Sequence, residues 1–204
     1  MKPITIAIPV MPTTPTSIEL VPVEGNDEIA SFYLGKYAVT QTQWKHVMGN
    51  NPSYFKEPDR PVEQVSYDDV EEFIITLNKK IGKEFRLPTE IEWEYAAKGG
   101  KHPEDTEYAG SSSVEEIAWY AGNSEKQTHD VGLLLPNKLG LYDMAGNVWE
   151  WASSYYDKAL DDRRVVRGGS WVNGPRILRS ANRFRYYTDL TFSYLGFRIA
   201  LSVS

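Results

Sequence analysis

Residues 140–151 read Gly-Leu-Tyr-Asp-Met-Ala-Gly-Asn-Val-Trp-Glu-Trp. Gly140 and Gly146 punctuate this stretch, and the aromatic runs at Leu141–Tyr142 and residues 148–151 read as brief strands. Trp149 and Trp151 are expected in a core, as is Trp171 further on. Downstream, residues 165–167 and 196–201 read as two more short strands. Arg167-Gly168-Gly169-Ser170-Trp171 lies between them, where the paired glycines predict a backbone shape or close approach that a side chain would block.

Upstream the period changes. Thr40 and Gln43 form a capping box, predicting a short helix over Gln41–Met48 that stops at Gly49. Ser66 precedes two acids and an apolar face at Val70, Phe73, Ile74, Leu77 and Ile81, ended by Gly82. Thr89 and Glu92 make another capping box, with Gly99-Gly100 as the stop. Brief order is expected at residues 114–120. At the N-terminus Ile4, Ile6, Ile8 and Val10 alternate as a strand, Pro12-Thr13-Thr14-Pro15-Thr16 is a loop, and strands follow at Ile18, Leu20 and Val23 and at residues 32–39. Helices early and irregular strands late make an α+β pattern. The 204 residues suit one domain, 1–204, with an N-terminal strand and loop over 1–17.

Composition removes several chemistries. There is no Cys, hence no disulfide framework, no thiolate metal site and no thiol nucleophile. His46, His102 and His129 are far apart and make no local zinc motif. Phosphate-loop and dinucleotide glycine motifs are absent, as is a Gly-x-Ser-x-Gly elbow. No apolar run reaches the ~20 residues of a spanning helix. The first ten residues make a poor signal peptide, so a soluble chain is expected. Charge is uneven: residues 163–204 hold eight Arg, no Lys and one acid, Asp189, for +7 against a total of −6. These Arg stand singly among apolar residues, which favours pairing with the acidic body over nucleic-acid binding.

Seven ordered motifs carry a resemblance. They are Gly35-Lys36-Tyr37-Ala38-Val39-Thr40, Asn51-Pro52-Ser53-Tyr54-Phe55, Pro61-Val62-Glu63-Gln64-Val65-Ser66, Arg86-Leu87-Pro88-Thr89-Glu90-Ile91-Glu92-Trp93-Glu94-Tyr95-Ala96, the stretch 140–151, Arg167-Gly168-Gly169-Ser170-Trp171 and Leu195-Gly196-Phe197-Arg198. Together they resemble the formylglycine-generating-enzyme (sulfatase-modifying factor) family. The resemblance implies a C-type lectin-like fold with short irregular strands and two to three helices. It implies a Cys pair for the oxidase activity near Pro175 and Ser180, and neither position is Cys. It also implies a structural calcium, with carboxylates from Asp143 and Glu150 and carbonyls from Gly146 and Val148; no cofactor is otherwise required.

The tail has its own composition. Val172 to Ser204 contains no Lys, Glu, Gln, Met or Trp, where the chain-wide frequency predicts about seven. An Asn codon ending in a pyrimidine and randomised at its two adenines excludes those five types and yields every type present in 172–194. With the frame around it, the segment is similar to variable proteins of diversity-generating retroelements. That resemblance implies a non-catalytic ligand-binding protein, displayed on a virion or a surface, whose partner is a protein or glycan on another cell or particle. The binding residues are then Val172, Asn173, Arg176, Ile177, Phe184, Arg185, Tyr186, Tyr187, Leu190, Phe192, Ser193 and Tyr194. Tyr gives large contact area at low rotamer cost, and Ser and Asn give adaptable hydrogen bonds. Arg167, Arg179, Arg183 and Arg198 belong to the frame. A non-diversified lectin-like binding domain and an oxidase are the alternatives, and aromatic core packing is the bland account of the Tyr and Phe.

Overall fold

Three capping boxes start the three longest helices. Thr40, Ser66 and Thr89 each accept the backbone N–H three residues on, and Gln43, Asp69 and Glu92 each reach back to the cap's own N–H. The helices are α1 (Gln41–Met48), α2 (Tyr67–Ile81) and α3 (Glu90–Ala97), and Gly49 and Gly82 end the first two in the left-handed conformation. Val70, Phe73, Ile74 and Leu77 of α2 are buried along one face. The expected order at 114–120 is a single turn, α4 (Val114–Ile117).

The structure, a computed structural model, describes residues 1–8, 16–157 and 162–203. Val10 and most of the predicted loop after it lie outside those residues. Strands β1 (Ile4–Ile8), β2 (Thr16–Val23), β3 (Phe32–Gly35) and β4 (Phe85–Arg86) join the C-terminal β9 (Ala200–Ser202) in a sheet ordered β1-β2-β3-β9-β4. A second sheet, ordered β7-β6-β5-β8, contains β5 (Trp149–Tyr155), β6 (Arg163–Arg167), β7 (Arg183–Tyr187) and β8 (Leu195–Phe197). The main core lies between α1, α2 and both sheets: Trp44 stacks on Phe73 at 5.2 Å, and Phe197 of β8 meets both rings edge-on. This is a mixed α+β chain with few helices and short strands, as the resemblance implies.

Three predicted elements differ. Leu141 and Tyr142 form no strand; the Tyr142 backbone instead bonds the Lys36 carbonyl and the Arg198 side chain. The strand over 196–201 is two strands in different sheets, broken at Arg198–Ile199. The strand over 32–39 ends at Gly35, because Gly35 donates to the Ile199 carbonyl and the chain turns away.

The break at Arg198 is the junction of the two sheets. Arg198 and Glu150 are both fully buried, and their two-pronged pair has N–O distances of 2.7 Å on each arm. Trp93 of α3 donates its indole N–H to Glu150 at 2.6 Å. Arg198 also donates to the carbonyls of Gly35 and Tyr142. Both charges are therefore compensated by directional bonds, the condition under which a buried pair is tolerated.

Glu63 is a second buried carboxylate, and it braces the loop that carries Tyr54 and Phe55. It accepts the Phe55 N–H at 2.8 Å, while its other oxygen has no partner. Burial pushes its carboxyl up to about 7.

Two measurements test these braces. Glu150→Gln or Arg198→Met leaves one partner buried and unpaired and should cost about 3–5 kcal/mol in urea unfolding; a loss below 1 kcal/mol would mean the pair is not the junction. For Glu63 the folded pKa exceeds the unfolded one, so its protonated form stabilises fully below about 4.5 and that contribution fades as pH rises to about 7. Glu63→Gln should therefore compare worst with the parent at pH 4.5 and gain on it by about 3 kcal/mol at pH 8. A stability difference that does not change with pH refutes the titration.

Candidate functional site

The tail leaves the core at Gly168-Gly169. Both sit at positive φ, 94° and 74°, and an added Cβ would lie 3.2 Å from the Trp93 ring and 3.1 Å from Leu178. The paired glycines thus supply both predicted properties, the left-handed backbone and the close approach. Trp171 differs from expectation: it is half-buried, unlike the buried Trp149 and Trp151. Its indole N–H donates to the Ser193 carbonyl at 3.0 Å, and its ring meets Phe55 edge-on at 5.5 Å. It ties the end of the tail to the loop at 53–55 and so belongs to the surface.

None of the twelve predicted binding residues is buried. Phe184 is 51% exposed and Tyr187 43%, and Val172, Arg176 and Ile177 are also exposed. Asn173 is partly structural, since its side-chain oxygen accepts the Ser170 N–H and hydroxyl. Ser193 contributes a carbonyl to Trp171 and Arg176 one to Asn182.

Strand β7 sorts the aromatic residues. Its residues pair with β6 in unbroken register, from Arg163↔Tyr187 to Arg167↔Arg183, and alternate side chains take opposite faces. On one face Phe184 lies 6.1 Å from Trp149, and Tyr186 lies 6.4 Å from Trp151. Tyr186 continues to Phe192 at 4.9 Å, and Phe192 stacks on Tyr194 at 4.9 Å. Burial pushes the Tyr186 hydroxyl well above its ordinary range. The half-buried Tyr186, Phe192 and Tyr194 rest on the core, so the core-packing account holds for their inner edges. On the opposite face Arg185 lies over the Tyr156 ring at 4.3 Å and Arg163 over Tyr187 at 4.7 Å. Phe184–Tyr187, Leu190, Tyr156 and Arg163 line a depression of about 420 Å³.

Sequence reasoning missed Tyr54, Phe55, Tyr156 and Arg163. Tyr54 is 69% exposed beside Phe55, and no local pattern marks either as adjacent to a tail more than a hundred residues on. The strand β7 was also missed, although Arg183, Phe184, Arg185 and Tyr186 alternate cleanly.

The frame arginines all meet carboxylates. Arg167 is buried and bonds Glu90, Glu94 and the Ser180 carbonyl; Arg183 bonds Glu90, Arg179 bonds Glu107, and Arg198 bonds Glu150. Half of the basic tail is thereby spent on the acidic body, as its isolated spacing predicts.

One carboxylate of the four-residue calcium set is already committed. Glu150 corrects the expectation: a guanidinium and an indole N–H already occupy both of its oxygens. Asp143 keeps one buried oxygen without a partner while the other accepts the Gly132 N–H, and burial pushes its carboxyl up to about 6. Among the described residues no three His, Asp or Glu gather as a metal cluster, and calcium wants six to eight oxygens. Ser180, at one position of the implied Cys pair, is buried with its hydroxyl unpartnered, and Pro175 opens an exposed single turn (Pro175–Ile177). Among the described residues no helix is long and apolar enough to cross a membrane.

Comparison with known proteins agrees with this geometry. The chain is 37% identical over 203 residues to Chaperone protein LppX of Paenibacillus barcinonensis, covering 72% of each. It is 31% identical over 177 residues to Inactive C-alpha-formylglycine-generating enzyme 2 of Bos taurus, covering 79% of this chain and only 57% of that protein. The solved structure of Treponema denticola variable protein 1 superposes with a TM-score of 0.88 at 26% identity, over 98% of this chain and 99% of the other. The Sulfatase-modifying factor enzyme 1-like domain matches residues 13–203, and with the C-type lectin-like fold and the buried frame in place, the chain belongs to that family.

Proposed function

We propose that this chain is a non-catalytic ligand-binding protein whose segment 172–194 is diversified by a retroelement on a lectin-like scaffold. The observation that carries the reading is a division of labour. Arg167, Arg198, Trp149 and Trp151 are sealed in the interior, while all twelve candidate residues, drawn from the compositionally restricted tail, reach solvent. The likeness to a structure named a variable protein supports the same reading. The relative named as an inactive formylglycine-generating enzyme, and the absence of Cys from this chain, support a lack of oxidase chemistry. The partner is a protein or glycan on another cell or particle, met by aromatic rings and planar guanidinium groups suited to hot spots.

Two tests follow from the division. A diversifiable face tolerates replacement, so Phe184→Ser, Tyr187→Asn and Val172→Asp should each cost less than about 1 kcal/mol in unfolding. Tyr186→Ser should cost about 2 kcal/mol, because its ring also rests on Trp151. Losses above ~2 kcal/mol at the three exposed sites would make them core and end the proposal. At the gene, a near-identical template repeat that differs only at adenines beside a reverse-transcriptase gene is expected. A locus with neither supports the undiversified alternative.

A further inference from the structure

Strand β7 is the outer strand of its sheet. Just past it, Thr188 donates its N–H to the Asp162 carbonyl at 3.2 Å. In an antiparallel ladder the bonded pairs alternate. Residues 186 and 184 therefore bond β6, and the backbone groups of Arg183, Arg185 and Tyr187 point away from the sheet. Among the described residues only the Tyr187 carbonyl of that outer row has a backbone partner, the Leu190 N–H. The 420 Å³ depression takes in four consecutive strand residues, Phe184–Tyr187, so both faces reach it and it follows the free edge.

Two of the three charges beside this edge, Arg163 and Arg185, are weakly committed. Arg183 is held by Glu90. Arg185 has a tyrosine ring and, among the described residues, no carboxylate within reach. Arg163 sits over Tyr187, and its nearest carboxylate oxygen is 3.9 Å away on the exposed Asp162. A second copy of β7 would bring arginine against arginine, and such like-charge contacts are how natural edges avoid self-pairing. An acidic strand would meet complementary charge along the same edge.

We propose that the β7 edge receives an extended acidic peptide segment of a partner protein as an added strand. The outer amides and carbonyls of Arg183, Arg185 and Tyr187 supply the ladder, Arg163 and Arg185 take alternate carboxylates, and the aromatic depression takes apolar side chains between them. This deepens the reading of the tail as a binding face and rests on it. An acidic glycan would use the arginines alone and leave the backbone row unpaired.

The test pans the full chain against a library of random decapeptides, with a hyaluronan hexasaccharide as the glycan probe. Bound peptides should carry Asp or Glu at alternate positions, and N-methylating their alternate amides should weaken binding by about tenfold or more. The double variant Arg163→Glu, Arg185→Glu, folded by circular dichroism and thermal melting, should lose the acidic peptides and select Lys-rich ones. If it does not fold, Arg185→Ser alone should weaken acidic binders. No bound peptide, binders without acidic bias, indifference to N-methylation, or binding of the hexasaccharide alone overturns the proposal. Peptides lost on Tyr187→Asn but unaffected at Arg163 and Arg185 overturn it while leaving the binding face intact. Loss at neither set removes the underlying reading as well.

Discussion

The structure depends on one buried charge pair. Glu150 lies on β5 and Arg198 on the two-residue link between β8 and β9, so the pair joins the second sheet to the point where the chain crosses into the first. Trp93 brings α3 to the same carboxylate, and the carbonyls of Gly35 and Tyr142 bring the end of β3 and the 140–146 turn. Five separate segments are thus oriented by two side chains. A hydrophobic pair of similar volume could fill the space, yet it would not fix direction. Here the bond geometry sets where Trp149 and Trp151 face, and those two rings are the floor under Phe184 and Tyr186.

That floor supports the exposed face that the proposed function requires. The β6–β7 ladder is made of backbone groups and is indifferent to side-chain identity. Arg167 holds the tail's start through the Ser180 carbonyl, and Trp171 holds its end through the Ser193 carbonyl. Both anchors accept bonds at backbone oxygens, so replacing Ser193 by another residue keeps the anchor. The exceptions are the inner edges of Tyr186, Phe192 and Tyr194, which rest on core residues and make part of the face load-dependent.

Local chemistry was legible in the sequence, and long-range chemistry was not. Capping boxes and glycine stops act within a few residues, so Thr40, Ser66, Thr89, Gly49 and Gly82 placed the helices closely. Gly168-Gly169 announced its left-handed turn for the same reason. Glu150 was misread because its partners, Arg198 and Trp93, lie 48 and 57 residues away. A carboxylate committed to a guanidinium has the same one-letter code as one free to hold a metal. Trp171 was read as core because indole usually is, but its polar N–H is spent on a carbonyl at the surface. Strand β7 is hard to see because its alternation spans only a few residues inside a tail of biased composition.

The restricted composition of the tail bears on the proposed binding. Four of the five residue types absent from the tail, Lys, Glu, Gln and Met, are among those that lose the most rotamer freedom when fixed, about 1.5–2 kcal/mol each. Arg shares that cost and is retained, but Arg185 already lies over the Tyr156 ring. The remaining types are aromatic, aliphatic or short, and most lose less. A face assembled from them loses less freedom on contact, so more of the contact energy would be left for affinity. Stiff side chains over an indole floor would thus reconcile two demands of the proposed function that usually conflict: tolerance of substitution at single sites, and preorganisation of the surface as a whole.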